Sequence, residues 1–156
     1  MPMIDLTYLW GPVQPQALEQ LSASYAPSQL LPASRTEYYG VDMIAKVVVT
    51  ALLAALLGFA GSIKVIGIQQ SLTIRDHLGV NPVQWRIIGA LELAAVAGVL
   101  AGLAWPPIGV AAAVGAALLL LGAIGFHARA SDSATDTAPA VIGVGLAVAT
   151  AILQVG

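Results

Sequence analysis

The sequence predicts an all-α protein: a four-helix transmembrane bundle with a short interfacial helix between spans one and two and an N-terminal extension. Three observations predict it. Of 156 residues, 58% are hydrophobic and 9% are charged, whereas a soluble domain carries about a quarter charged residues. The shortage is localised, because segments 47–63, 87–126 and 137–156 together hold 77 residues and one charge, Glu92. Runs this long and clean are membrane spans, and proline and capping signals divide them into four. A soluble globular domain, a disordered chain and a nucleic-acid binder are excluded as main readings, and a net charge of −2 offers no polyanion-binding surface.

Each element follows from chain geometry. A helix rises 1.5 Å per residue, so about 20 residues cross a hydrocarbon core of about 30 Å. Segment 87–126 is too long for one crossing and breaks at Trp105-Pro106-Pro107, where prolines suit a first helical turn and cannot continue the preceding helix. The four spans are therefore placed near 42–63, 82–104, 107–127 and 138–155. Asn81-Pro82-Val83-Gln84 combines a capping residue, a proline at the first helical position and a Gln three residues after the cap. It opens span two, with Trp85 and Arg86 in the interfacial turn. Before it, Ile68–Leu78 has Ile68, Leu72 and Arg75 at helical spacing and Gly79 as a C-terminal cap. About 11 residues cannot span, so this is a helix lying at the interface or on the bundle end. Asp132, Ser133, Asp136 and Thr137 favour a helix N-terminus ahead of Pro139.

Two domains result, an extension over 1–40 and a membrane domain over 41–156. The extension holds five of the nine aromatics (Tyr8, Trp10, Tyr25, Tyr38, Tyr39) and five prolines. It has no basic start followed by an apolar run, so it does not read as a cleavable signal peptide. Pro15–Tyr25 fits a short helix with Leu18, Leu21 and Tyr25 on one face. Two roles suit the extension: a tail whose tyrosines anchor span one at the bilayer surface, or an arm that docks on a membrane protein partner.

Four spans put both termini on one side. Loops one and three carry Lys64, Arg75, Arg86 and Arg129, against Arg35 and Lys46 on the opposite side. The basic excess places those loops in the cytoplasm and both termini outside. Lipid tails provide no hydrophobic drive between helices, so close backbone approach must hold the spans together. Small residues recur at four-residue spacing in Ala54/Gly58, Gly98/Gly102, Ala111/Gly115 and Gly143/Ala147.

Glu92 is the one ionisable residue well inside a span, about 9 Å beyond Arg86, and an isolated carboxylate there must be paired, protonated or turned to a polar cavity. The topology brings Lys64, Arg86, Glu92, His127, Arg129 and Asp132 to one end of the bundle. These six are the candidate ligand-binding residues. Their structural reading is positive-inside residues plus one register-fixing ion pair. Their functional reading is a small polar pocket, open to the bilayer, for the headgroup of an apolar molecule such as a quinone. Other chemistry has less support. With no cysteine, thiol redox, iron–sulfur ligation and c-type haem attachment are absent from the chain. Only His77 and His127 could ligate haem, one of them from a connecting segment, whereas paired axial histidines face each other from neighbouring helices. No zinc-ligand spacing, phosphate loop or nucleophile elbow occurs, so neither a metal site nor catalytic residues are expected.

Gly58-Phe-Ala-Gly-Ser-Ile-Lys64 resembles the end of the first span in DoxX-like membrane proteins. Arg86-Ile-Ile-Gly-Ala-Leu-Glu92-Leu resembles that family's second-span signature, and Leu121 to Asp132 its third-span ending. Ala138-Pro139-Ala140 is similar to the start of its fourth span, and the resemblance covers roughly 43–156. Ser131 stands where a glycine is common, the loop to Pro139 is long, and the first 40 residues have no counterpart. The resemblance implies a bacterial inner-membrane four-helix protein, with Lys64, Glu92, His127, Arg129 and Asp132 as the matching polar positions. It also implies a link to membrane redox complexes, including a quinone-reducing sulfur-oxidising enzyme and oxidative-stress assemblies. Three functions follow as expectations: an accessory subunit of a redox or envelope membrane complex holding partners, lipid or a quinone; a small proton-coupled transporter using Glu92; or a structural component without ligand. If the chain has a part in catalysis, it is as a component of a quinone-linked oxidoreductase.

Overall fold

A computed structural model describes Gln16, Glu19, Gln20 and residues 33–155, with side chains from Gly40 onward in the last stretch. The chain divides into two units, Met1–Gly40 and Val41–Gly156. Of the helix expected over 15–25, Gln16, Glu19 and Gln20 are helical and the rest lies outside the described residues.

Five helices follow one another: α1 (Ala33–Ile66), α2 (Gln69–His77), α3 (Pro82–Ala101), α4 (Pro106–Arg129) and α5 (Ala134–Val155). Four of them contain apolar stretches long enough to cross a membrane, Gly40–Ile66 in α1 and the whole of α3, α4 and α5. No strand occurs among the described residues. Large apolar side chains such as Ile44, Leu52, Phe59, Leu91 and Ile152 point outward, while Ala113, Ala116, Ala140 and Ala147 are buried with Leu53, Leu57 and Val99. Small inside and large outside is the pattern of a bundle solvated by lipid. The chain is an integral, multi-pass membrane protein.

The boundaries differ from the sequence reading in three places. Helix α1 begins at Ala33 rather than near 42, because nothing after Pro32 stops a helix except Gly40. Helix α3 ends at Ala101, three residues short of 104, and Gly102–Ala104 form the turn. Helix α5 begins at Ala134 rather than 138, so Pro139 lies inside it. Ser133 explains the earlier start: its Oγ accepts from the Asp136 amide at 3.3 Å and donates to Asp136 Oδ2 at 2.6 Å. The proline then removes one early hydrogen bond, where membrane helices tolerate it.

Three helix ends share one cap. Gly67 (φ 77°) follows α1, Gly79 (φ 66°) follows α2 and Ser131 (φ 60°) follows α4. In each, the next residue returns its N–H to a carbonyl five residues back: Ile68 to Ile63, Val80 to Arg75, and Asp132 to His127. This is the Schellman arrangement, which needs a left-handed residue at its corner. Ser131 occupies that corner without being glycine, which gives a physical reason why glycine is common there. At the start of α3, Asn81 Oδ1 accepts from the Val83 amide at 2.8 Å as its sequence suggests.

Candidate functional site

The α1–α3 crossing builds the site. A side chain on Gly61 would lie 2.8 Å from the Gly89 carbonyl, and one on Gly89 would lie 2.9 Å from the Gly61 carbonyl. Neither position accepts a Cβ without moving backbone. The crossing is antiparallel, so Gly61 faces Glu92 and Gly89 faces Lys64. Side chains on a helix lean toward its N-terminus. Lys64, near the end of α1, therefore leans into the membrane, and Glu92 leans back toward the surface. The two meet with Lys64 Nζ 2.8 Å from both Glu92 oxygens, and Nζ also lies 3.4 Å from the Ala60 carbonyl one turn back. Glu92 is only 4% exposed. A carboxyl group at that depth requires a partner, and Lys64 supplies it to both oxygens.

Trp85 supports the pair from below. Lys64 Nζ sits 5.3 Å from the ring centroid, within cation–π range, and the indole Nε1 donates to Ser71 Oγ of α2 at 2.9 Å. The sequence places Trp85 in the interfacial turn of span two. It is in that turn and faces inward, and its N–H is satisfied by the one buried residue of α2. The aromatic therefore ties α2 to the ion pair.

A second cluster surrounds Asp132. Its Oδ1 is 2.5 Å from His77 Nε2, and its Oδ2 is 2.6 Å from His127 Nδ1. The α4 cap makes this possible, since it folds Asp132 back over His127. Hydrogen bonds from His77 and then His127 hold the Asp132 carboxyl below the usual carboxylate range. The hydrogen bond to Asp132, followed by its charge, raises His77 above its ordinary value.

Of the six expected site residues, Lys64 and Glu92 form one contact and His127 and Asp132 another. Arg86 and Arg129 are exposed and bond to none of the others. Both point away from the bundle, as snorkelling residues at a membrane boundary do. Sequence reasoning missed three participants. Ser71 carried no signal, Trp85 was read as an interfacial aromatic, and His77 was weighed only for haem. Both histidines each spend a ring nitrogen on Asp132.

Between the two clusters lies a cavity of about 650 Å³. Its wall includes Lys64, Glu92, Trp85 and Ser71 on one side and His127 and Asp136 on another, and the remainder is apolar. Phe59 and Leu118 both line it and are 72% and 65% exposed, so the cavity opens sideways to the bilayer. Its size and its mixture of apolar wall with a few convergent polar groups are those of small-molecule sites. No group of His, Asp and Glu suited to holding a metal occurs among the described residues.

No curated protein and no solved structure matches the chain. The sequence profile of the DoxX-like family matches residues 48–151, about two thirds of the chain, from within α1 to within α5. The protein belongs to the DoxX-like family.

Proposed function

We propose that this protein is an accessory subunit of a redox or envelope complex in the bacterial inner membrane. In it, the cavity beside Lys64 and Glu92 receives the headgroup of an amphipathic, quinone-like molecule. The observation that carries this reading is the cavity itself, with polar groups at one end of an apolar chamber and an opening lined by lipid-exposed Phe59 and Leu118. A molecule arriving from the bilayer would enter tail outward and meet Trp85, the ion pair and His127. The basic residues near the cavity, Lys64, Arg75, Arg86 and Arg129, support a cytoplasmic location for that end and an outside location for both termini. Residues 1–40 are then the segment offered to a partner protein.

The paired state of Lys64 and Glu92 favours a second reading, a structural component in which the ion pair only fixes the α1–α3 register. One variant separates the two. Replacing both members by apolar residues of similar size, Lys64→Met with Glu92→Leu, leaves no buried charge unpaired, so the bundle should still fold. Mass spectrometry of molecules and proteins co-purifying with the native chain and this variant is the test. Loss of a bound quinone from the folded variant is the expected result. A native chain that purifies alone, without quinone, lipid or partner, contradicts the proposal. A proton-coupled transporter would instead need Glu92 accessible and titrating during turnover, whereas both its oxygens are held by Lys64.

A further inference from the structure

The opposite end of the bundle carries a second polar site that the function above does not use. A cavity of about 590 Å³ lies among α1, α4 and α5, lined by Lys46, Pro106, Val110, Ala111 and Gln154. Lys46 is half-buried and makes no ion pair or hydrogen bond among the described residues. Eighteen residues separate it from Lys64, about 27 Å of helix, so the two lysines stand at opposite edges of a hydrocarbon core about 30 Å thick. Lys46 is therefore at headgroup level.

Gln154 is the second, independent observation. It is 1% exposed, and its Nε2 donates to the Val99 carbonyl at 3.3 Å, which distinguishes the donor end of the amide from the acceptor end. Its Oε1 has no hydrogen-bond partner among the described residues. Space for the amide exists because Gly102 and Gly109 are glycines: a Cβ at Gly109 would lie 2.5 Å from Oε1, and one at Gly102 would lie 2.8 Å from Nε2. A buried amide acceptor left open is costly, and it is retained here in the wall of a cavity that also presents Lys46.

Ala111 and Gly115 supply the third observation. Among the described residues, no other helix covers this small-residue pair. Both are exposed, and a side chain built on Gly115 would meet no atom within 4 Å. Ala111 lines the cavity and Gly115 lies one turn deeper in the bilayer on the same face of α4. The pair forms a shallow strip running from the cavity toward the membrane interior.

We infer that this end binds a phospholipid whose headgroup joins a phosphate to a primary ammonium, as in phosphatidylethanolamine. The phosphate pairs with Lys46, the ammonium donates to Gln154 Oε1 after a small turn of the amide, and an acyl chain lies along Ala111 and Gly115. The charge pattern selects this lipid over one with a quaternary ammonium, which has the same phosphate but no N–H to donate.

The test uses the full chain, delipidated in a non-ionic detergent and titrated with phosphatidylethanolamine or phosphatidylcholine of identical acyl chains, with retention read by native mass spectrometry. The native chain should hold the ethanolamine lipid about tenfold better, the effect of one charge-assisted hydrogen bond. Lys46→Gln should weaken both lipids by about tenfold, and Gln154→Leu should abolish the difference between them. Gly115→Leu points into open space, so it leaves the fold intact and should reduce retention of both lipids by crowding the tail. Should Gln154→Leu fail to fold, the other two variants still decide. Equal retention of the two lipids by the native chain overturns the inference, as does unchanged retention by Lys46→Gln. Overturning it equally is a Gly115→Leu variant that loses a dimer but keeps the lipid, since the strip then belongs to a second copy.

Discussion

The two ends of the bundle treat their polar groups in opposite ways. At the end that carries Lys64, Glu92, His127 and Asp132, both ionisable clusters are closed: Glu92 has both oxygens on Lys64, and Asp132 has one oxygen on each histidine. At the other end, Thr50, Thr150 and Gln154 are fully buried, and each keeps an oxygen without a partner among the described residues. The difference follows from magnitude. An unpaired neutral acceptor costs about 1–3 kcal/mol, whereas an unpaired buried charge costs enough that the fold must provide its partner. Charges dictate structure here, whereas neutral polar groups can be buried without a partner.

The largest break in that comparison comes from separating the buried pair. Lys64→Ala leaves Glu92 uncompensated and should destabilise the protein by about 3–5 kcal/mol, read as a lower midpoint in detergent thermal unfolding. The double replacement Lys64→Met with Glu92→Leu should recover most of that loss. A single and a double variant of equal stability would mean that the carboxylate is not charged in the native bundle.

Next comes the crossing that brings the pair together. Gly61→Ala inserts a Cβ 2.8 Å from a carbonyl oxygen of α3 and should cost about 1–3 kcal/mol through helix separation. The contrasting variant, Gly122→Ala, has nothing within 4 Å of its new methyl and should stabilise by about 0.5–1 kcal/mol, the ordinary gain of alanine over glycine inside a helix. Equal effects at both glycines would remove the crossing from the account.

Smaller is the gain at the α4 cap. Ser131 holds φ 60°, a conformation that costs a residue with a Cβ about 1 kcal/mol. Ser131→Gly relieves that strain but makes the unfolded chain more flexible, so a net gain of at most about 1 kcal/mol is expected. Thermal unfolding under identical detergent conditions measures it, and a loss of stability would show that the serine hydroxyl supports the cap.

The smallest effect is on pH. His77 has its ionisation raised by Asp132, so the stabilisation it contributes is complete below the free histidine value of about 6.5 and is lost as pH rises through the higher folded value. Asp132 is lowered, so its contribution is present above the free value near 4 and is lost as pH falls through the depressed folded value. The link from α2 to α4 is therefore strongest between about pH 4 and 6.5. Amide hydrogen exchange in α2, corrected for its intrinsic pH dependence, should show greater opening above that window, and Asp132→Asn should remove the trend. A flat profile in the native chain would mean that His77 does not hold α2.

How much of this was legible in the sequence differs between elements and contacts. Span number, the short α2, the Asn81 cap and the glycine corner after α2 follow from local rules that involve only neighbouring residues. Helix α5 escaped its predicted start because Ser133 and Asp136 cap it before Pro139, and two capping signals competed for one boundary. The Lys64–Glu92 contact was legible only as a convergence on one end of the bundle. Which basic residue took the carboxylate depended on Gly61 lying opposite Glu92, and the resulting Lys64–Glu92 contact spans 28 residues of sequence, which no helical period reveals. Arg86, only six residues from Glu92 in sequence, faces outward instead. The Ala111/Gly115 pair shows the converse error: four-residue spacing marks a face of small residues but not whether a helix of the same chain covers it.

The most direct measurement places a ligand in the cavity. Trp85 lines it, and the other two tryptophans, Trp10 and Trp105, lie elsewhere in the sequence. A chain carrying Trp10→Phe and Trp105→Phe reports from Trp85 alone, and a short-chain benzoquinone quenches indole fluorescence on contact. The account predicts saturable quenching that becomes weak and linear when Lys64→Met and Glu92→Leu are added to the folded protein. Linear, unsaturable quenching of Trp85 by the same benzoquinone, with or without the ion pair, would contradict it.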